Sequence, residues 1–222
     1  MMRMLSRIIP VVALAALTLS PGLGAQEKRS GDAFSWYIGP QGGTIIFETP
    51  NQTKGAIPSV GGHFLIMARR TGLLLSFDEG IAQDQKTSFA DPSAPGGVRS
   101  VTFNDLRKYS AILVAYPLRG HLQPFLGVGL GILQTGNEYP QNTVTQVEKD
   151  SLTAVANSLG SYGFGTGLIG LQAKAGGVAL FGQAQVMTGP GSGKLLTGAS
   201  FAFAGGIRIS LGSAREDVTS GY

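Results

Sequence analysis

The residue types that most often carry catalysis are sparse in this chain. It contains two histidines, His63 and His121, and no cysteine. Nucleophilic catalysis needs a nucleophile, a base and an orienting group within hydrogen-bond reach of one another. Neither histidine is followed two residues later by serine, because Leu65 and Gln123 stand there, and two distant histidines do not predict a metal site. We therefore expect no enzyme activity, no catalytic residue, no bound metal and no cofactor.

Two short segments resemble binding motifs but do not meet their requirements. The segment 189–194, Gly-Pro-Gly-Ser-Gly-Lys, looks like a phosphate-binding loop. However, Thr188 occupies the position of its first glycine, and Leu195 replaces the serine or threonine that would bind Mg²⁺. The Asn-Gln-Thr sequence at 51–53 fits a glycosylation acceptor, a pattern that also arises by chance. We interpret 189–194 as a flexible loop and give the acceptor pattern no role.

Charge is too scarce for an ordinary water-facing surface. Asp, Glu, Lys and Arg make up 14% of the residues, hydrophobic residues make up 43%, and 34 residues are glycine. In a typical soluble domain, charged residues are roughly 25% of the total. The formal net charge is +4, with basic residues scattered among acidic ones, so nucleic-acid binding is not predicted. The absence of cysteine excludes disulfides and thiolate metal sites.

The first 25 residues are typical of a secretory signal peptide. Arg3 and Arg7 precede an apolar run over residues 8–19, and small residues then lead to Ala25. We expect cleavage after Ala25, which removes residues 1–25 on export. The alternative, an uncleaved anchor helix, is disfavoured because the run is too short to span a bilayer.

The remaining sequence predicts β-strands rather than membrane helices. After residue 25, no uninterrupted apolar stretch approaches the eighteen or so residues of a membrane helix. What recurs instead are segments with period-two alternation, bounded by Gly, Pro, Asn and Asp, which are typical of membrane barrel strands. Eight such strands are predicted, over residues 34–48, 58–69, 73–82, 99–118, 121–136, 160–174, 178–188 and 198–211.

The connections between these strands alternate in length. Tight links are predicted at 70–72, 119–120 and 175–177, and longer ones at 49–57, 83–98, 137–159 and 189–197. An up-and-down outer-membrane barrel has short turns and both chain ends at its periplasmic rim, and longer loops at its extracellular rim. Apolar residues at roughly helical spacing within 137–159 predict either a short helix or a polar loop. We therefore predict a barrel over 34–212, preceded by a periplasmic tail at 26–33 and followed by a polar tail at 213–222.

The two faces of the predicted strands favour a membrane barrel. In strand 121–136 one face is bulky and apolar while the other is largely glycine: Leu126, Val128, Leu130 and Ile132 against Gly127, Gly129 and Gly131. A soluble ligand-binding barrel also alternates, but its water-facing wall would then be glycine with almost no charge. As the inner wall of a narrow membrane barrel, small residues leave room for the few large side chains that fill the lumen. A soluble periplasmic barrel is the alternative.

Two segments carry a family resemblance: PFLGVGLG at 124–131 and FAGGIRISLG at 203–212. Together with the alternation along nearly the whole mature chain, they resemble the small outer-membrane β-barrel proteins of the OmpX, OmpW and OmpA-barrel type. The resemblance implies an all-β, up-and-down antiparallel transmembrane β-barrel of eight strands in a bacterial outer membrane. It also implies contact with outer-membrane lipid and lipopolysaccharide, folding by the barrel-assembly machinery, a monomeric state, and neither a nucleic-acid nor a known small-molecule ligand. Lipid A deacylases on similar barrels use a His-x-Ser pair, which this chain lacks.

Charged residues on the inward face are the remaining candidates for a site. An eight-stranded barrel is just wide enough to be filled by its own side chains, so buried charges are expected to pair with one another. The candidates for this polar cluster in the lumen are His63, Arg69, Asp78, Asp105, Arg107 and Arg208.

Two functions are compatible with such a barrel. In the first, it is a structural or surface-interaction protein that contributes to envelope integrity or adhesion through the connections at 83–98 and 137–159. In the second, it is a narrow conduit, or a binding barrel for a small hydrophobic molecule. A packed lumen crossed by charge pairs favours the first function, and an open lumen or a lateral opening favours the second.

Overall fold

The computed structural model describes residues 33–140 and 145–215, which form almost entirely β-structure. The predicted signal peptide at 1–25 lies outside the described residues, as do nearly all of the tail at 26–33 and most of the tail at 213–222. The strands are β1 (Ala33–Thr49), β2 (Gln52–Ala68), β3 (Thr71–Ala90), β4 (Val98–Ala115), β5 (Leu122–Gly136), β6 (Tyr139–Pro140), β7 (Ser161–Ala175), β8 (Val178–Met187) and β9 (Thr197–Arg215). A 3₁₀ helix spans Pro95–Gly97, and the helix α1 spans Gln146–Leu159.

The eight long strands close into a barrel in which every neighbouring pair is antiparallel. Each long strand pairs with the next long strand along the chain, and β9 returns to pair with β1. The two-residue strand β6 is an appendage that pairs only with β4. Closure gives every long strand a partner on both sides, and only the loop-end extensions 52–58 of β2 and 81–90 of β3 run beyond the ladder between those two strands. The predicted fold, an all-β up-and-down barrel of eight strands, is confirmed.

Three strands, β2, β3 and β9, are longer than predicted. The β1–β2 hairpin continues to a pair between Thr49 and Gln52, so the predicted connection 49–57 is a tight turn. Strand β3 continues to Ala90 past a register shift between Ile81 and Gln85. These extensions are polar, so the sequence resembles a loop although the hydrogen-bond ladder persists. Strand β9 likewise continues to Arg215 in the ladder with β1, which moves residues 213–215 from the predicted tail into the barrel.

The connections divide between the two ends of the barrel. One end, here called the turn end, carries the short links at 69–70, 116–121 and 176–177, the start of β1 and the end of β9. The other, the loop end, carries the links at 50–51, 91–97, 137–160 and 188–196, of which 141–144 are not described. The predicted alternation of short and long connections holds except at 50–51, where a short turn lies at the loop end.

Strands β1 and β9 approach so closely that Gly39, Gly43 and Gly206 leave no room for a Cβ. A Cβ added to Gly39 would lie 1.7 Å from the carbonyl oxygen of Ile207, and one added to Gly43 would lie 1.8 Å from that of Phe203. No side chain fits at such distances, so these glycines allow the first and last strands to pair and close the barrel.

The helix α1 covers part of the loop end. Its N-cap Thr145 and Glu148 form a reciprocal capping box, in which the Thr145 backbone N–H donates to the Glu148 carboxylate at 3.0 Å. These hydrogen bonds from Thr145 lower the pKa of Glu148. Ala156 is buried in an apolar cluster with Phe89 and Leu195, so of the two predicted alternatives the helix is the correct one. Within the described chain, no helix has the length and hydropathy of a membrane span.

Candidate functional site: the barrel lumen

The interior of the barrel holds a chain of four polar side chains across its middle. Nζ of Lys108 lies 3.0 Å from Oδ2 of Asp78, and the two side chains are 1% and 2% exposed. Gln41 donates from Nε2 to the other Asp78 oxygen at 2.5 Å, and Lys108 donates to Oε1 of Gln185 at 2.8 Å. These residues come from β1, β3, β4 and β8, so the network connects opposite walls. We call it the central network.

A second buried cation lies on the turn-end side. Arg208 on β9 is 1% exposed, and its guanidinium donates to the Tyr116 hydroxyl at 3.0 Å and to the Gln172 carbonyl at 2.5 Å. The guanidinium carbon lies 4.1 Å from the ring centroid of Phe181 and 4.9 Å from that of Phe125. The cation is therefore held by neutral oxygens and two aromatic faces rather than by a carboxylate. We call this group the Arg208 cluster.

Apolar side chains fill the lumen on both sides of these polar groups. Toward the loop end, a buried cluster includes Phe47, Phe103 and Leu133. Toward the turn end, another includes Leu65 and Leu74 together with the rings that surround Arg208. At the loop end itself, the apolar cluster under α1 adds a further layer. The lumen is thus filled in layers by the chain's own side chains, which favours a packed interior over a wide pore.

Three of the six predicted lumen residues do lie in the lumen. Asp78 belongs to the central network and Arg208 to its own cluster. His63 is 4% exposed, and its ring makes an edge contact with Phe181 at a centroid distance of 4.9 Å.

The prediction was wrong for the other three. Asp105 and Arg107 alternate with buried Leu106 and Lys108 and therefore lie on the outer wall. There Arg107 forms ion pairs, with its Nε 3.2 Å from Glu79 Oε1 and its Nη2 3.7 Å from Asp105 Oδ2. Arg69 follows the end of β2 and lies exposed in the turn. In β4 both faces are apolar, since Ile112 and Val114 point inward while Leu113 points outward, so the sequence does not show which residues face the lumen.

Sequence reasoning also missed residues that complete the lumen networks. Lys108 adjoins the misplaced Arg107, and its inward orientation follows only from the burial of Ile112, four residues along the same strand. Gln41, Gln185, Tyr116 and Gln172 were not recognised because uncharged polar residues occur on either face of a strand. Their significance depends on cross-barrel distances that only the closed structure supplies.

The outer wall has the opposite character. Its large apolar side chains include Leu130 at 71% exposure, Ile169 at 67%, and Leu113 and Val128 at 66% each. Aromatic side chains lie toward both ends of this wall. Trp36 and Phe64 form an edge contact near the turn end, Phe77 and Tyr109 pack halfway along the wall with centroids 5.1 Å apart, and Phe201 lies exposed near the loop-end limit of β9.

Near the turn end, the outer wall contains an apolar groove of about 600 Å³. Its floor is low where β2 and β4 carry the small outward-facing residues Ala68 and Ala115, with the backbone of Gly72 between them. Larger side chains border it, namely Phe34, Leu113 and Leu126.

The loop end carries a partly buried ion pair. Arg99 Nε lies 3.0 Å from Asp91 Oδ2, and hydrogen bonds from Ser93, together with Arg99, lower the pKa of Asp91. In the described ranges, no group of three or more histidines, cysteines or carboxylates is arranged to hold a metal ion. The chemistry of the lumen is accordingly that of charge pairing, hydrogen bonding and packing.

No family model and no curated protein sequence matches the chain. Among solved structures, the chain is similar to the crystal structure of Neisserial surface protein A (NspA), with 11% identity and a TM-score of 0.53, covering 78% of this chain and 96% of that chain. It is also similar to the N-terminal β-barrel domain of OprF from Pseudomonas aeruginosa, with 11% identity and a TM-score of 0.47, covering 82% of this chain and 100% of that one. A further similar structure is the outer membrane protein OprG from Pseudomonas aeruginosa, with 12% identity, a TM-score of 0.37 and coverage of 81% and 93%. The similarity to NspA confirms, at the level of the fold, the resemblance to small outer-membrane barrels.

Proposed function

We propose that this protein is an integral β-barrel of a bacterial outer membrane, with a structural or surface-interaction role rather than a transport role. The observation that carries the proposal is the distribution of polar and apolar side chains, which is the reverse of that in a soluble protein. Large apolar side chains such as Leu130 and Ile169 are exposed on the outer wall, while Asp78, Lys108 and Arg208 are enclosed in the lumen. In water, such a wall would be a large exposed apolar surface. In a bilayer, it matches the hydrocarbon that surrounds it.

The orientation follows from the two ends of the barrel. Short turns and both chain ends are typical of the periplasmic side, and longer loops of the extracellular side. We therefore place the turn end in the periplasm and the loop end outside. Aromatic residues near both ends of the outer wall, such as Trp36 and Phe201, suit the two lipid–water interfaces. Export by the signal peptide over residues 1–25 is part of this proposal.

A structural or surface role is supported by the filled lumen. The central network and the apolar layers on both sides of it occupy the space through which a solute would pass. The loop end presents α1, whose Val147 is 81% exposed, and the ion-paired connection around Asp91. These loops would meet lipopolysaccharide and surface partners. We propose that the barrel is monomeric and is assembled by the barrel-assembly machinery.

Absence of enzyme activity is also part of the proposal. His63 is enclosed beside Phe181, and its two ring nitrogens have no hydrogen-bond partner among the described residues. His121 lies in a turn, where its Nδ1 is 3.4 Å from the backbone oxygen of Lys174. Neither arrangement supplies a nucleophile with an oriented base.

The location is tested by expressing the chain with its signal peptide and separating the outer membrane from the soluble periplasm. We expect recovery in the outer membrane, with a gel mobility that shifts when the sample is boiled. Recovery in the soluble periplasmic fraction would contradict the membrane location.

The closed lumen is tested separately with purified protein in dye-loaded vesicles. We expect the flux of ions and small solutes to be no higher than in vesicles without protein. The positive control is a general porin inserted into vesicles of the same preparation. Flux well above the protein-free level would favour the conduit function that the sequence left open.

A further inference from the structure

The apolar groove on the outer wall opens beside a basic rim. Thr71 lines the groove, and Arg70 immediately precedes it. The Tyr116 backbone N–H donates to the Arg70 carbonyl at 2.7 Å, so the turn that contains Arg119 adjoins the turn that contains Arg70. Both turns therefore lie at the turn-end border of the groove.

The charge of these turns has one sign. The turn-end connections 69–70, 116–121 and 176–177 contain three arginines and no acidic residue. The connections of the loop end instead mix both signs, with Asp91, Glu138, Glu148 and Asp150 beside Lys149 and Lys194. The tails at 26–32 and 216–222, which contain acidic residues, lie outside the described ranges. A positive rim above an apolar groove matches a molecule with an anionic head and an apolar chain.

We propose that the groove and the turns containing Arg70 and Arg119 form a binding site for an anionic glycerophospholipid. One acyl chain lies in the groove over Ala68, Gly72 and Ala115, and the phosphate lies at the arginines. The inference rests on the proposed membrane location, which places the turn end at the periplasmic leaflet.

The two parts of the site contribute differently. Lipid tails are as apolar as the leucines of the wall, so contact with the groove gives little preference for a bound lipid over bulk lipid. The shape of the groove determines where the acyl chain lies. Discrimination between lipids must come from the head group, because a basic residue near the membrane surface attracts anionic lipid. We expect each neutralised arginine to weaken retention by about fivefold.

The test is native mass spectrometry of the folded protein in detergent, titrated with phosphatidylglycerol or with phosphatidylcholine of identical acyl chains. We expect phosphatidylglycerol to be retained preferentially. The variant Arg70→Gln/Arg119→Gln should lose most of this preference, whereas Lys54→Gln/Lys86→Gln, which removes two exposed lysines from the loop-end half, should keep it. Equal retention of both lipids, or equal effects of the two double variants, would overturn the proposal.

A second pair of variants tests the groove. Ala115→Phe fills the groove and should lower phosphatidylglycerol retention severalfold. Ala111→Phe places the same ring on the same outer face of β4, outside the groove lining, and should leave retention unchanged. Unchanged retention in Ala115→Phe would overturn the placement of the acyl chain. Heat-modifiable mobility, measured for every variant, separates failure of lipid binding from failure of the barrel itself.

Discussion

The ammonium group of Lys108 lies 3.0 Å from the carboxylate of Asp78 in the middle of the barrel, with both side chains enclosed. Burying two charges is costly unless they are paired and their remaining hydrogen-bonding positions are used. Here Gln41 and Gln185 provide those further hydrogen bonds. The pair therefore links the neighbouring strands β3 and β4 on their inner face, and its hydrogen bonds to Gln41 and Gln185 extend across the lumen.

Asp78→Asn should strongly destabilise the barrel because it leaves the Lys108 charge enclosed without a counter-charge. We expect a loss of about 3–5 kcal/mol in the free energy of unfolding. It is measured in a urea titration, in which the intensity of the gel band of unboiled, folded protein reports the folded fraction. The double variant Asp78→Asn/Lys108→Met should lose less than Asp78→Asn alone.

The matched control is the ion pair at the loop end. Arg99 Nε lies 3.0 Å from Asp91 Oδ2, and both side chains remain partly exposed, so Arg99→Gln should cost about 1 kcal/mol. Equal losses for Asp78→Asn and Arg99→Gln would contradict the structural role assigned to the lumen pair.

Gly39→Ala should prevent β1 and β9 from pairing, because its Cβ would lie 1.7 Å from the Ile207 oxygen. We expect a loss of about 1–3 kcal/mol or more, measured as the folded fraction after refolding into detergent. The control Gly182→Ala introduces a Cβ with no heavy atom within 4 Å and should refold like the parent protein. Normal refolding of Gly39→Ala would show that the first and last strands do not approach this closely.

The N-terminus of α1 should weaken in acid. Hydrogen bonds from Thr145 lower the pKa of Glu148 below its ordinary value of 4.5. A lowered folded-state pKa means that the stabilisation is present above the unfolded value and is lost as pH falls through the folded value. Hydrogen-exchange protection of residues 146–159, corrected for intrinsic rates, should therefore fall below about pH 4.5.

Glu148→Gln should remove this pH dependence, since its amide does not titrate in this range. Asp150→Asn, two residues further along the same helix, should retain it. A pH profile that is unchanged in Glu148→Gln would mean that another group controls the end of the helix.

The sequence was sufficient to predict the fold because the outer wall repeats one simple pattern. In β5, Leu126, Val128 and Leu130 alternate with glycine, and this alternation marks both the strand and its outward-facing side. Strand ends were harder to predict, since the polar extensions of β2 and β3 resemble loops.

The lumen site was predicted only in part because its residues come from different strands and lie near one another only in the closed barrel. Asp78 and Arg208 were recognised from strands whose faces differ clearly. In β4 the two faces are equally apolar around Leu113 and Val114, so Arg107 was assigned inward and its neighbour Lys108 was missed. The partners of Arg208 lie on β7 and at the end of β4, and their convergence depends on the size and tilt of the closed barrel.

The most direct test of the membrane location is Ile169→Arg, measured by urea titration of the protein folded into phospholipid vesicles. Ile169 lies at the middle of β7 and is 67% exposed on the outer wall. We predict a loss of about 2–4 kcal/mol, because an arginine there faces hydrocarbon. Val98→Arg, at the loop end of β4, should cost at most about 1 kcal/mol. If Ile169→Arg leaves the free energy of unfolding unchanged or raises it, the outer wall faces water and the account of this protein as a membrane barrel is wrong.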